Sequence, residues 1–170
     1  MLLQLRVDDR LLHGQVGTAW TPKLQADMVI IANDKVSNNS MLKMTMSLAK
    51  PAGVDLKILT INQAIEFLND KDGKLANRRV FIITESIQDA ALLVEHVKDL
   101  NKVNLGGIRQ SQNQDKVKIS KQVFLNEQEM KILSRMAEKN VEIFEQIAPL
   151  DPKKNWENIQ KLFSKGGGKL

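Results

Sequence analysis

Short, continuous apolar runs are the feature that most constrains the fold of this chain. Residues 28–32 (Met-Val-Ile-Ile-Ala) and 80–83 (Val-Phe-Ile-Ile) contain no polar side chain, as expected for strands that are buried on both faces of a parallel sheet. Further strands are predicted at residues 2–7, 54–60 and 141–147, and segments of helical spacing separate them. This alternation predicts an α/β fold: a single domain with a mainly parallel central sheet and helices on both faces.

The length of 170 residues is that of one ordinary domain. We expect residues 1–164 to form this domain and residues 165–170, which include three glycines, to form a flexible tail. The chain has no cysteine, and its only histidines are His13 and His96. These counts exclude disulfides and cysteine catalysis, and they argue against a histidine-rich metal site. No Gly-x-Gly-x-x-Gly or Walker sequence is present, so neither dinucleotide binding nor ATP-dependent phosphorylation is supported.

The formal charge of +5 raises the alternative of a nucleic-acid-binding protein. Aromatic residues make up only 4% of the chain and there is no tyrosine, so few side chains are available to stack on bases. The basic residues are also dispersed, and we therefore expect acidic protein partners or phosphate chemistry and no nucleic acid. No apolar stretch approaches the roughly 20 residues that span a bilayer. Because residues 1–6 lead straight into a strand without a signal peptide, a soluble, cytoplasmic protein is expected.

Several helices are predicted with their ends. The spacing predicts a helix at residues 38–49, with Met41, Met44 and Leu48 on one apolar face that packs in the core. Ser86 and Asn126 are predicted N-caps of two later helices.

Other predictions concern the connections between these helices and the end of the chain. The sequence predicts a strand at 118–125, a C-terminal helix at 155–163, and polar loops at 69–74 and 111–115.

A dense polar block follows the first predicted strand. It reads Arg6-Val7-Asp8-Asp9-Arg10-Leu11-Leu12-His13-Gly14-Gln15-Val16, and helical spacing begins after Gly14. The block therefore lies on a strand-to-helix turn, where parallel α/β sheets form ligand sites.

The chemistry of this block is that of a nucleophile with supporting charges. The imidazole of His13 can attack phosphorus if an acceptor, Asp8 or Asp9, fixes its tautomer. Arg10, and with it Arg6, would neutralise the phosphoryl oxygens. A plain surface ion pair with a capping histidine is the alternative from spacing alone.

Backbone groups add to the predicted phosphate site. The amides of Gly14, Gln15 and Val16 open a helix, where they have no intrahelical acceptor and attract anions. The pair Gly106 and Gly107 follows a short strand, and it either admits a ligand close to the backbone or forms a simple turn.

The polar block resembles the active-site loop of IIB subunits in the mannose/fructose/sorbose family of the bacterial sugar phosphotransferase system, with conservative changes at Val7 and Leu12. Later stretches match in order over residues 2 to about 151. They are Ala32-Asn33-Asp34-Lys35-Val36, Ala49-Lys50-Pro51-Ala52-Gly53-Val54, Val103-Asn104-Leu105-Gly106-Gly107-Ile108 and Ile119-Ser120-Lys121. Residues 1–164 would then be a type-4 EIIB domain.

The resemblance implies a protein-phosphohistidine–sugar phosphotransferase without metal or cofactor. His13 would accept a phosphoryl group on Nδ1 from a phosphorylated IIA domain and pass it to a sugar carried by the membrane subunits IIC and IID, with which the chain would associate peripherally. Asp8 would orient the imidazole and Arg10 would balance phosphate charge. Gln15 and the backbone after Gly14 would complete the pocket, Asp9 and Arg6 would support it, and Gly106 and Gly107 would form its wall.

Two questions stay open from sequence. The same scaffold could serve as a non-catalytic module that binds an anion or a regulatory protein, because fold does not determine function. The oligomeric state is open as well, a homo-oligomer included. For the sugar, the Val16-Gly17 and Trp20-Thr21 pairs resemble N-acetylgalactosamine-type members more than mannose or fructose members. This favours N-acetylgalactosamine or another hexosamine, with mannose, fructose and sorbose as the alternatives.

Overall fold

The computed structural model describes residues 1–69, 73, 75–110 and 115–170. Its strands are β1 (Leu2–Asp8), β2 (Met28–Ala32), β3 (Asp55–Leu59), β4 (Val80–Thr84), β5 (Lys102–Gly107), β6 (Val117–Lys118), β7 (Phe124–Leu125), β8 (Glu142–Glu145) and β9 (Lys154–Asn155). Its helices are a π-helical turn (Val16–Trp20) followed by α1 (Thr21–Leu24), α2 (Asp34–Ser37), α3 (Ser40–Leu48), α4 (Ile61–Leu68), α5 (Ile87–His96), α6 (Glu127–Glu138) and α7 (Trp156–Lys165).

The strands of the described chain form one main sheet and one small ribbon. The main sheet has the order β3-β2-β4-β1-β5-β8-β9, and its neighbouring strands are parallel except for β9, which runs antiparallel to β8. The strands β6 and β7 pair antiparallel outside it. This architecture confirms the predicted single-domain α/β fold.

Helices cover both faces of the main sheet, as predicted. Successive strand residues point to opposite faces, so Ile30 and Ile82 join a core under α4, α5, α6 and α7. Val29 and Ile83 join a second core under the π-helical turn, with Leu12, Val16 and Trp20. The continuous apolar runs in the sequence exist because both faces of these strands are buried.

The direction in which the chain adds strands to the sheet reverses between β1 and β5. The chain leaves β1 toward β2 on one side, and it leaves β5 toward β8 on the other side. The carboxyl ends of β1 and β5, which are neighbours, therefore border a switch point of the kind where open α/β sheets bind ligands.

The predicted helix caps are confirmed. The Ser86 side chain accepts a hydrogen bond from the backbone of Asp89 at the start of α5. Asn126 and Glu129 form a reciprocal capping box at the start of α6. The C-terminal helix is present and buries Ile159 and Phe163, but it reaches Lys165, one residue into the expected tail.

The prediction of one strand at residues 118–125 is wrong. The chain turns back on itself here, because the backbone amides of Ile119 and Ser120 both donate to the carbonyl of Val123. Val123 also pairs with Ile108 beyond the end of β5. The β6–β7 turn therefore lies over the carboxyl ends of the strands in the sheet.

Most residues of the two polar loops predicted at 69–74 and 111–115 lie outside the described part of the chain.

The prediction that Met41, Met44 and Leu48 pack in the core is also wrong. Their exposed fractions are 76%, 67% and 83%. The other face of α3, with Leu42 and Met46, packs against the second core. The sequence places apolar residues on both faces of this helix, and helical spacing alone could not decide which face would be buried.

Candidate active site

The polar block forms a tight turn between β1 and the first helix. β1 ends at Asp8, whose carbonyl accepts a hydrogen bond from the amide of Leu11. Leu11 has φ +55°, a left-handed conformation that is unfavourable for a branched residue. Its buried side chain offsets part of this cost, and the turn brings His13 back over the end of β1.

Asp8 accepts hydrogen bonds from three residues of the polar block, although its side chain is fully buried. Its Oδ2 lies 3.1 Å from Arg6 Nη2 and 3.3 Å from His13 Nε2. Its Oδ1 accepts from the backbone amide of Arg10 at 3.2 Å, and Arg10 Nε lies 3.6 Å away. The structure thus brings together four of the predicted site residues. Asp8, and not Asp9, is the carboxylate that contacts the imidazole.

The charge of Asp8 is maintained by its neighbours. Burial by itself would raise the pKa of this carboxyl group, but the hydrogen bond with His13 and the charge of Arg6 outweigh burial and lower the pKa. Burial likewise lowers the pKa of Arg6, and Asp8 opposes this effect. Arginine nevertheless remains protonated in proteins, so Asp8 and Arg6 form a buried pair of opposite charges.

The contact with Asp8 determines which nitrogen of the neutral His13 ring carries the proton and which carries the free lone pair. An ionised carboxylate only accepts hydrogen bonds, so His13 Nε2 carries the proton in this contact. The lone pair then lies on Nδ1 in the neutral ring. The side chain of His13 is 22% exposed, which leaves the ring open to a reacting group.

Arg10 lies at the solvent side of the site, with its side chain 39% exposed. Its Nη2 donates to Gln122 Oε1 at 3.0 Å. Gln122 belongs to the β6–β7 turn, and its own carbonyl accepts a hydrogen bond from the amide of Ile108. The sequence alone did not indicate this residue, because 112 positions separate it from Arg10 and no local motif marks it.

The start of the helix lies beside His13. The first intrahelical bond joins the amide of Gly17 to the carbonyl of His13 at 2.9 Å, so the amides of Gly14, Gln15 and Val16 precede it and are available to an anion. Gly14 and Gln15 are exposed, whereas the side chain of Val16 is buried. Among the described residues no heavy atom lies within 4 Å of the position that a Cβ of Gly14 would take.

Arg6 does not face a phosphate, contrary to its predicted direct role. It is 1% exposed, and its Nη1 donates to the carbonyl of Gln146 at 3.1 Å. Its guanidinium also lies 5.3 Å from the ring centre of Trp20, a cation–π contact. Arg6 therefore supports Asp8 from inside the protein.

Gly106 and Gly107 lie directly against the polar block, and their role as the wall of a phosphate site stays a prediction. Both are buried in β5, where a bulge occurs opposite the end of β1. A Cβ on Gly106 would overlap the guanidinium of Arg6, and one on Gly107 would come within 2.9 Å of Asp8 Oδ1. Glycine is required here because the side chains of Arg6 and Asp8 lie directly against the backbone.

Asp9 pairs with Arg109, and among the described residues it forms no hydrogen bond or ion pair with His13. Its Oδ2 accepts from the backbone amide and from Nε of Arg109, both at 2.9 Å. Arg109 is a second residue that sequence analysis missed. Its contact with Asp9 ties the polar block to the end of β5, next to the backbone bond from the amide of Asp9 to the carbonyl of Gly107.

The described residues contain neither a metal-binding cluster nor a membrane-spanning helix. Within residues 1–69, 73, 75–110 and 115–170, no group of three or more acidic or histidine side chains is arranged to bind a metal ion. Across the same described residues, no helix is both long and apolar enough to span a membrane.

Comparison with known proteins identifies one family. Residues 2–167 match the family described as the sorbose subfamily IIB component of the phosphotransferase system (PTS). A probable phosphotransferase enzyme IIB component of Streptococcus pyogenes serotype M6 is 34% identical over 157 residues, which cover 90% of this chain and 95% of that protein. The sorbose-specific EIIB component of Lacticaseibacillus casei is 30% identical, with coverages of 94% and 96%. The crystal structure of the N-acetylgalactosamine-specific IIB component 1 of Escherichia coli superposes with a TM-score of 0.81 at 30% identity, with coverages of 91% and 98%.

Proposed function

Because this chain belongs to the sorbose-subfamily IIB components of the PTS, and is thus a phosphotransferase subunit of sugar transport, we propose that His13 is the residue that carries the phosphoryl group. The observation that carries this proposal is the contact between His13 Nε2 and the buried Asp8. It leaves Nδ1 as the free nucleophile of a partly exposed ring.

In the proposed first step, the Nδ1 lone pair of His13 attacks the phosphorus of a phosphohistidine on a IIA partner. The new N–P bond forms as the donor's P–N bond breaks, and the donor imidazole leaves with the bonding electrons and takes up a proton. In the second step a sugar hydroxyl oxygen attacks the same phosphorus and releases its proton to water. His13 then leaves as a neutral imidazole, and the sugar phosphate is released.

Asp8 would serve both steps by keeping the proton on Nε2, which orients the ring and stabilises the positive charge that develops on it. Arg10 and the amides of Gly14, Gln15 and Val16 would neutralise the phosphoryl oxygens during transfer, where positioning and electrostatics supply most of the catalysis. The exposed side chain of Arg10 and the exposed helix start support these roles. Arg6, Gly106 and Gly107 would act indirectly, by holding Asp8 in place.

The proposed partners are a IIA phosphocarrier domain and the membrane subunits IIC and IID, at the cytoplasmic side of the membrane. For the sugar we propose a hexosamine such as N-acetylgalactosamine, since relatives specific for that sugar are among the similar proteins. Trp20 and Thr21, which carry this likeness in the sequence, are buried. Their signature would therefore reflect shared ancestry and no contact with the sugar.

Incubation with a phosphorylated IIA protein tests the proposal. One acid-labile phosphate per chain should appear on His13 Nδ1, as read by mass spectrometry and ³¹P NMR. The label should be absent in His13→Ala and retained in His96→Ala, the matched control at the only other histidine. Label on His96, or a phosphate that dialysis removes intact, would instead support a non-covalent binding module.

A further inference from the structure

Helix α3 exposes an apolar stripe beside the proposed active site. Met41, Met44 and Leu48, called the α3 stripe below, fall within an arc of roughly 60° at about 100° per residue. Their exposed fractions are 76%, 67% and 83%. A helix that is apolar on both faces is normally buried. The second face of α3 therefore lacks a partner among the described residues.

The end of helix α3 packs against the helix start that follows His13. The carbonyl of Ala49, at the end of α3, lies against Gly17 so closely that a Cβ on Gly17 would come within 2.5 Å of it. The amide of Gly17 binds the carbonyl of His13. Leu48 is the neighbour of Ala49, so the carboxyl-terminal end of the α3 stripe lies near the helix start that follows His13.

Basic residues predominate around the α3 stripe. Residues 35–54 contain Lys35, Lys43 and Lys50 and no acidic residue. The two acidic residues that flank this stretch are engaged elsewhere, since Asp34 accepts a hydrogen bond from the amide of Ile61 and Asp55 pairs with Arg78. Lys35 and Lys43 are exposed, and neither has an ion-pair partner in the described part of the chain. An apolar centre with a basic rim fits a protein surface with an apolar centre and an acidic rim.

From these features we propose that the α3 stripe and its lysine rim are the docking surface for the phosphorylated IIA donor. This inference rests on the proposed function of His13. The donor arrives with the phosphoryl charge, which the basic rim attracts, and that charge passes to His13 on transfer, so the attraction weakens after the reaction. Methionine side chains adapt to an opposing surface without a fixed shape.

The composition of α3 argues against a lipid surface as the occupant. Helices that lie in a membrane interface combine several lysines or arginines with tryptophan, phenylalanine or leucine. The nine residues of α3 contain one lysine and no aromatic residue. A protein partner is therefore favoured over lipid.

Two phosphoryl donors separate docking from chemistry. Phosphoramidate is a small donor that can phosphorylate an imidazole with release of ammonia, and it needs no docking surface. We expect Met44→Glu and Leu48→Glu to raise the KM for the phosphorylated IIA protein about tenfold or more, since truncated or charged interface anchors cost over 1 kcal/mol. The kcat at saturation and the rate with phosphoramidate should stay unchanged.

Control variants sharpen the result. Leu92→Glu places the same charge on a 45% exposed leucine of α5, on the opposite face of the sheet, and should leave the KM unchanged. Lys43→Glu should raise the KM, and Lys43→Arg should retain it. Circular dichroism checks that each variant is folded.

Three outcomes would overturn the docking surface. They are an unchanged KM in all α3 variants, an equal loss with phosphoramidate, and a loss confined to self-association or to binding of anionic vesicles. If the wild-type chain takes no phosphate on His13 from either donor, the proposed function itself fails, and the docking surface fails with it.

Discussion

Arginine–carboxylate clusters lie at both ends of the strands in the main sheet. The cluster at the amino ends of the strands (the amino edge) and the cluster at their carboxyl ends (the carboxyl edge) differ in burial. At the amino edge, Arg78 lies 2.8 Å from Asp27 and 2.5 Å from Asp55. At the carboxyl edge, Arg6 lies 3.1 Å from Asp8. The amino-edge pairs are shorter, yet the side chains of Asp27 and Asp55 are 43% and 64% exposed, whereas that of Asp8 is fully buried.

The length of an ion pair therefore does not measure its importance. Water and salt screen the exposed cluster, so its pairs add little to stability. At the buried cluster, loss of one partner leaves an uncompensated charge in the protein. Asp8 also contacts an open imidazole, which no group at the amino edge does. The two edges therefore predict different responses to substitution.

The largest expected effect is that of Asp8→Asn. It leaves Arg6 without its carboxylate partner and should lower the free energy of unfolding by about 3–5 kcal/mol. Phosphoryl transfer to His13 should slow as well, because the amide no longer fixes the tautomer of the ring. Urea unfolding and the rate of labelling measure the two effects. If Asp8→Asn lowered the free energy of unfolding as little as Asp55→Asn does, the predicted difference between the buried and the exposed cluster would be wrong.

Arg10→Ala should have the next largest effect. Phosphoryl transfer to His13 should slow about 10²–10³-fold, as for other charge-stabilising groups, and the fold should stay intact.

Gln122 acts through Arg10, so we expect Gln122→Met to slow phosphoryl transfer less, by about tenfold. Gln122→Glu keeps the acceptor oxygen and should restore the rate. Failure of this rescue would show that Gln122 serves the β6–β7 turn and does not position Arg10.

A pH dependence should distinguish Asp8 in wild-type protein. Its pKa is lower in the folded than in the unfolded chain, so its contribution to stability is present above the unfolded pKa of about 3.9 and is lost as pH falls through the lower folded pKa. The difference in unfolding free energy between wild type and Asp8→Asn should be constant from about pH 7 to 5 and shrink below about pH 4. Urea titrations across this range measure it, and a difference that grows on acidification would give the wrong sign.

The smallest expected effect is that of Arg78→Ala at the amino edge. The midpoint of thermal unfolding should fall by no more than about 4 °C at low salt, and the difference should nearly vanish in roughly 1 M salt. Differential scanning calorimetry at two salt concentrations tests this. A large, salt-independent loss would mean that the exposed cluster contributes as much as the buried one.

Local patterns were sufficient to predict much of this molecule. The apolar runs of β2 and β4 predicted strands buried on both faces, and Ser86 and Asn126 predicted helix starts, because both signals depend on residues close in the chain. The polar block likewise predicted Asp8, Arg10 and His13 as one site, since a single tight turn brings them together. Asp8 or Asp9 as the partner of the imidazole stayed undecided, because the turn alone does not orient either carboxylate.

Tertiary structure decided what depends on distant residues. Gln122 and Arg109 reach the polar block only because β5 and the β6–β7 turn lie beside β1. The glycines of β5 lie under Arg6 and Asp8, since parallel neighbours place those side chains against their backbone. The exposure of Met41, Met44 and Leu48 was decided in the same way. The sheet offers one surface to a helix that is apolar on two faces, so the amino-acid sequence determines the helix, and only packing determines which face remains open to a partner.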